Sequence, residues 1–264
     1  MRCLGCGSTN PAKKKWTSLP FFTCASCGVL FAYPQPSDEQ LERVYREQYY
    51  PPEGAGSRPV YENTPRPLVD QLVSCLAHRG VLPSRDGLVL DFGCGVGDFT
   101  DAATRRGAAV DAVESDDVAR AVAARRGVRA YQRLADIPHE RRSRGYDLIT
   151  LLDVLEHVRD PLALLTELRA MMHAGGACYL SVPNYRAPQA RLLGARWDQA
   201  LNPTHLFLFS AESVRHLLSR AGFVASYLPC ALRDPRMTEA QRACSVVLQR
   251  FRLSGTLRML ARAV

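Results

Sequence analysis

The run Asp91-Phe92-Gly93-Cys94-Gly95-Val96-Gly97-Asp98 follows an apolar segment beginning at Leu88 and leads into a helical pattern. Glycines at alternate positions, entered from a short buried strand and left through a helix, describe a tight turn at the carboxyl edge of a parallel sheet, where a ligand approaches the backbone. A cofactor is therefore predicted at Asp91, Gly93, Gly95 and Gly97. The dinucleotide fingerprint does not fit, because Asp98 stands where that pattern needs its third glycine. Asp91 also sets a carboxylate beside the loop, which disfavours a pyrophosphate and suits a cationic sulfonium bearing an amino group.

The segments around this loop alternate in the same rhythm. Strands are predicted at Leu88 to Phe92, Ala109 to Glu114, near Val128 to Gln132, and at Tyr146 to Leu152, with helices ending at Gly107 and Gly127 between them. Asp160 as N-cap and Pro161 at the first helical position open a further helix, expected to stop at Gly175-Gly176. Ala177 to Val182 reads as the fifth strand, Ser210 caps a helix through Ala221, and Gly222-Phe223 opens a sixth. For the tail the pattern gives a helix from about Pro235 to Arg252 and a last strand at Thr256 to Ala261; a basic amphipathic helix running to the end, touching a membrane or a partner, competes with it. Short buried strands alternating with helices imply right-handed crossovers, hence an α/β, Rossmann-like, seven-stranded and mostly parallel sheet over residues 81–264.

A second unit precedes it. Cys3, Cys6, Cys24 and Cys27 form two C-x2-C pairs separated by seventeen residues, each pair followed by a glycine. One tight turn delivers two thiolates to the same ion, and four sulfurs make a closed, structural zinc site. Residues 1–33 are thus expected to be a zinc ribbon ending before Pro34-Gln35-Pro36, which continues neither helix nor central strand. The chain holds nine cysteines, and the remaining five read as solitary thiols. Between ribbon and sheet, residues 34–80 are read as a helical linker and lid. Ser37 with Gln40 makes a capping box for a helix to about Tyr49, and Leu68, Val69, Leu72, Val73 and Leu76 recur at helical spacing up to Gly80.

A length of 264 residues allows one ample core and a small accessory module. No apolar run approaches the ~20 residues of a membrane span, and the start lacks a secretion signal, so a cytoplasmic location is expected. The net charge of +8 is spread over arginine clusters at Arg105-Arg106, Arg125-Arg126 and Arg141-Arg142. Such pairs suit solvated helix ends, and a basic balance alone reports nonspecific attraction to nucleic acid.

With these residues in view, the sequence resembles class I S-adenosylmethionine (SAM)-dependent methyltransferases, whose first motif has the same D-x-G-x-G-x-G shape; the resemblance covers about residues 60–264. It implies that Glu114, 21 residues after Gly93, accepts hydrogen bonds from the donor's ribose hydroxyls, and that Asp136 is the adenine-side acid. The stretch Tyr146 to Val158, including Asp153, is similar to the fourth motif of the ubiquinone/menaquinone-type branch, and Gly175-Gly176 with Ser181-Val182-Pro183-Asn184 to its fifth-strand motif. Asp153 is accordingly placed at the donor site, and Tyr49 and Tyr50 are read as closing over it.

Methyl displacement from a sulfonium needs mainly alignment. Where the acceptor is a hydroxyl, phenol or acidic carbon, a base adds about 10²- to 10⁴-fold; His157 and His205 are the candidates for that catalytic role, against a purely structural reading of each. Asn184, Tyr185 and Trp197 are candidates for lining the acceptor pocket, the aromatics equally for packing. The leading reading is an enzyme methylating a small molecule at O, N or C, releasing S-adenosylhomocysteine (SAH), its oligomeric state left open. The first alternative is an RNA base methyltransferase whose ribbon, with Lys13, Lys14, Lys15 and Trp16, contacts nucleic acid; the second is a non-catalytic zinc-ribbon interaction protein.

Overall fold

The computed structural model describes residues 2–9, 11–13, 21–49, 66–83, 87–230, 232–251 and 253–263. The N-terminal part forms three short strands, β1 (Pro11–Lys13), β2 (Phe21–Cys24) and β3 (Leu30–Ala32). Next comes α1 (Asp38–Val44), opened by the expected reciprocal cap: Gln40 N–H donates to Ser37 Oγ, and Ser37 N–H to Gln40 Oε1. Rather than continuing to Tyr49 as α-helix, the chain widens into a π turn over Tyr45–Tyr49. Then α2 (Arg66–His78) buries Leu72, Val73 and Leu76, three of the five residues whose spacing marked it.

The main sheet is laid down by β4 (Leu88–Phe92), α3 (Asp98–Thr104), β5 (Ala109–Val113), α4 (Asp117–Arg125), β6 (Ala130–Tyr131), α5 (His139–Arg144) and β7 (Tyr146–Leu152). It continues through α6 (Pro161–Ala170), β8 (Met172–Pro183), α7 (Pro188–Leu193), α8 (Asp198–Leu201), β9 (Phe207–Leu208), α9 (Ala211–Arg220), β10 (Phe223–Tyr227), α10 (Glu239–Arg250) and β11 (Thr256–Ala263). Seven strands pair in the order β10-β11-β8-β7-β4-β5-β6. Only β11 runs against the rest. The tail is thus a strand, paired with β8 from Thr256↔Pro183 to Arg262↔Ala177, and not a helix running to the end. Strand order reverses beside β4, between β5 and β7, and in sheets of this kind ligands bind at the carboxyl ends of the strands at such a switch point, here β4 and β7.

Two expectations are corrected. The glycine pair Gly175-Gly176 does not end the helix: α6 stops at Ala170, and the pair lies inside β8, beside a register irregularity between β7 and β8. Gly176 is needed there for close approach, since a Cβ would stand 2.7 Å from the Tyr146 carbonyl oxygen. Nor are five cysteines solitary. Cys75 on α2 is disulfide-bonded to Cys230, beyond β10, with Cα atoms 6.0 Å apart; Cys94, Cys178 and Cys244 are free.

The ribbon strands do not stand alone. Their sheet has the order β1-β2-β3-β9, so β9, from the second half of the chain, completes it with Leu30↔Leu208 and Phe31↔Phe207 in antiparallel register. Beneath it Phe21, Leu30 and Ala32 form one buried cluster with Tyr185, Ala187, Ala190, Trp197, Ala200 and Leu208. No helix among the described residues is long and apolar enough to cross a membrane.

Candidate active site

The glycine loop leaves β4 at this switch point. Gly93, Gly95 and Gly97 have φ of 73°, 54° and 83°, a left-handed path that only glycine follows without strain. A Cβ on Gly95 would meet nothing within 4 Å, so the loop presents open backbone there. At the end of β5 the half-buried Glu114 faces it: Oε2 accepts the Gly95 N–H at 2.9 Å, and Oε1 the Asp116 N–H at 2.9 Å. A carboxylate has about four acceptor sites, so this one retains capacity for further donors such as vicinal hydroxyls. Below the loop Asp91 is buried and accepts from Thr100 Oγ1 at 2.7 Å and Thr150 Oγ1 at 2.9 Å. Burial raises its carboxyl to about 6. These features fit a ligand carrying a ribose and a cationic group.

Asp153 follows β7 in the left-handed region, φ 54°. Its N–H donates to the Ser181 carbonyl at 3.0 Å and its Oδ1 accepts the Ser181 hydroxyl at 3.1 Å, which ties this corner to β8. Asp136 is exposed in a 3-10 turn and ion-paired with Arg133 at 3.0 Å, the contact that lowers its pKa. Tyr50 lies outside the described residues, as do Lys14, Lys15 and Trp16 of the ribbon excursion. For Tyr49 only the backbone turn is described.

Immediately past Asp153, a 3-10 turn over Leu155–His157 brings three titratable side chains together. The rings of His157 and His205 meet edge to face with centroids 4.7 Å apart. Their Nδ1 atoms lie against carbonyl oxygens, of Thr204 at 3.1 Å and of Gln199 at 2.8 Å. A carbonyl only accepts, so each Nδ1 carries the proton and each Nε2 the lone pair. The Tyr45 hydroxyl stands 3.3 Å from the same His157 Nδ1, which places the start of the π turn against the cluster. Burial holds His157 down to about 4; for His205, burial and the neighbouring His157 reach about 3.

The third member is Glu156, which sequence reasoning did not single out within the Tyr146 to Val158 stretch. It is buried, and among the described residues neither carboxyl oxygen has a hydrogen-bond partner. Burial, with the charge of Asp153 behind it, pushes its carboxyl well above the usual carboxylate range. A buried polar group without partners is costly, and such groups cluster where a protein binds or reacts. Glu156, His157 and His205 each present one donor atom, all within 4.8 Å of one another; a carboxylate with two imidazoles is also a set that a divalent first-row ion accepts.

The expected acceptor-lining residues are engaged elsewhere. Tyr185 donates its hydroxyl to the Gly28 carbonyl at 2.7 Å, and Trp197 is buried in the cluster beneath the ribbon. Asn184 is also buried: Nδ2 donates to the Ser254 carbonyl at 3.0 Å and Oδ1 accepts the Arg186 N–H at 3.0 Å. In the ribbon, Cys3 and Cys27 have sulfurs 3.9 Å apart, Cys6 and Cys24 3.5 Å, and all four lie within 4.8 Å. A tetrahedron with Zn–S bonds of about 2.3 Å has edges of about 3.8 Å, so the four sulfurs fit a zinc ion.

Comparison with known proteins agrees with this arrangement. Residues 62–227, more than half of the chain, match the family described as methyltransferase domain. The ubiquinone biosynthesis O-methyltransferase of Aeromonas salmonicida is 34% identical over 141 residues, covering 48% of this chain and 59% of the relative. That of Nitrosomonas europaea is 27% identical over 184 residues, 64% of this chain and 74% of the relative. The match thus spans between about three fifths and three quarters of these two proteins. Among solved structures, the magnesium protoporphyrin IX methyltransferase of Synechocystis PCC 6803 with bound SAH superposes with a TM-score of 0.53 at 19% identity, over 86% of this chain and 94% of that one. That last likeness is one of fold. A glycine loop on β4 faced by an acid on β5, in a seven-stranded sheet with only β11 reversed, therefore belongs to a recognised group: the chain is a member of the methyltransferase-domain family and carries a SAM-dependent methyltransferase domain.

Proposed function

We propose that this protein methylates a hydroxyl group of a small-molecule acceptor at the carboxyl ends of β4 and β7, between the glycine loop and the Glu156–His157–His205 cluster. The names of the O-methyltransferase relatives support oxygen as the target. The observation that carries the reading is the orphaned Glu156 carboxyl beside two imidazoles whose Nδ1 protons are both given to carbonyls. A hydroxyl brought there supplies the donor that Glu156 lacks. Its proton is then taken by the ionised form of Glu156, which burial makes a stronger base than an exposed carboxylate, or by the adjacent imidazole lone pairs, as the methyl group is transferred.

When bound, the donor supplies a methyl group already activated on a sulfonium. This chain's residues do the rest: Gly93 to Gly97 admit the ligand to the backbone, Glu114 accepts from its ribose, and Asp153 anchors the loop that leads to the cluster. In this reading Asp136 keeps its adenine-side place only by exchanging Arg133 for the ligand. Residues 34–80 act as a lid in which Tyr49 and Tyr50 serve the donor site, and zinc in the Cys3, Cys6, Cys24 and Cys27 site is structural. The test is transfer of labelled methyl from SAM to a panel of phenols, vicinal dihydroxy-aromatics, amines and RNA. Label on a hydroxyl oxygen, abolished by a Glu156→Gln substitution, is the expected result. Label confined to nitrogen, carbon or RNA contradicts it.

A further inference from the structure

The ribbon's third strand is joined to the segment that carries His205. Leu206, next to that histidine, is bonded on both sides. Its N–H donates to the Glu156 carbonyl at 2.8 Å, and its own carbonyl accepts the Ala32 N–H of β3 at 2.9 Å. One peptide thus links ribbon and cluster. Two further residues of the same segment pair with β3, as Phe207↔Phe31 and Leu208↔Leu30. Only Gly28 and Val29 separate Cys27 from β3, so the second cysteine turn feeds directly into the strand that holds this wall. From the other direction Tyr185 reaches the Gly28 carbonyl, and Arg220 on α9 bonds the Cys6 carbonyl. Both cysteine turns are gripped by the second half of the chain.

We propose that the ribbon is a positioning module for the acceptor wall. Through β3 it adds a strand to β9 and holds His205 against Glu156 and His157, so that zinc occupancy governs the order of the acceptor side and leaves the donor side independent. The physical reason is the shortness of β9. A strand of two residues has too few bonds to stay in place unaided; its segment is held by β3, by the Glu156 carbonyl through Leu206, and at its far end by the Phe209 carbonyl accepting the Tyr185 N–H at 3.0 Å. The donor loop, in contrast, is tied to β5 by Gly93 and Cys94 N–H bonds to the Val113 carbonyl at 2.8 and 3.0 Å, and by Glu114. None of those bonds involves the ribbon. This inference rests on reading residues 184–209 as the acceptor wall.

The experiment is amide hydrogen exchange on the full chain, zinc-loaded and after zinc removal with a chelator that leaves the thiols unmodified, including the free Cys94 of the donor loop, with SAH titration on both samples. The expected result is a loss of protection of at least about tenfold at residues 206–209, with Gly93, Cys94 and Gly95 amides and SAH affinity changed by less than about twofold. A Tyr185→Phe variant, which keeps all four cysteines and the zinc, is expected to raise exchange at residues 206–209 by a smaller factor and to raise the acceptor KM without changing the donor KM. Retained protection at residues 206–209 after zinc removal overturns the proposal, whether or not the ribbon itself loosens, as does a protein that binds no zinc. The exchange readout needs no acceptor, so failure of the hydroxyl-acceptor reading leaves it standing. Loss of SAH binding in the loaded protein would instead count against the methyltransferase reading.

Discussion

Asp91 offers a test of the site's electrostatics that requires no ligand. Its carboxyl is buried beneath the glycine loop, with the Thr100 and Thr150 hydroxyls as donors. Desolvation outweighs those bonds, and the nearby Glu114 charge adds to it, so the group titrates at about 6 in the folded chain against 3.8 unfolded. Between those values the folded state holds a proton that the unfolded state has lost. Stability from this group is therefore fully present below about 3.8 and falls as pH rises through about 6. A difference of about two pKa units at 1.36 kcal/mol each is about 3 kcal/mol. Asp91→Asn keeps the shape and removes the titration. Urea unfolding of both proteins at intervals from pH 4 to 7.5 should give a stability difference that shifts in favour of the variant by about 3 kcal/mol across that range, most of it between pH 4 and 6. Curves that stay parallel within ~0.5 kcal/mol would refute the reasoning, and with it the claim that burial dominates at this carboxyl.

Other substitutions report on the remaining parts. Glu156→Gln should lower turnover of a hydroxyl acceptor by at least about 100-fold, the scale of a lost base, while SAH affinity stays within about twofold; equal losses in both would place Glu156 on the donor side. Trp197→Ala removes a buried indole shared by ribbon and wall, and truncations of this size cost about 3–5 kcal/mol. A clear fall in Tm in thermal unfolding is expected, and a change of less than about 1 kcal/mol would mean that this cluster is not a core.

How much of this was legible in the sequence depended on the range of the interactions. The donor loop and β7 were readable because glycine spacing and apolar runs are local and the sheet's carboxyl edge is set by strand-to-helix order. Ser37, Asp160 and Ser210 announced their helices for the same reason, since a cap is complete within four residues. Gly175-Gly176 misled because a glycine pair after a helix reads as a stop, whereas here it lets β8 approach the Tyr146 carbonyl. Contacts between distant segments left no local mark: Cys75 meets Cys230 across 155 residues, and β9 is too short to show a period. For Tyr185 and Trp197 the sequence left pocket lining and packing open, and in the fold they pack the N-terminal strands against the segment that follows β8. Glu156 was missed because nothing local distinguishes a buried acid from a solvated one.

The central claim is that the glycine loop, with Glu114 beside it, binds the methyl donor, and calorimetric titration of the zinc-loaded protein with SAH tests it most directly. Micromolar binding is predicted, weakened about 10- to 100-fold in Glu114→Ala, since hydrogen bonds to a charged group contribute about 1.5–3 kcal/mol. No heat from either protein, or equal binding by both, would contradict the account.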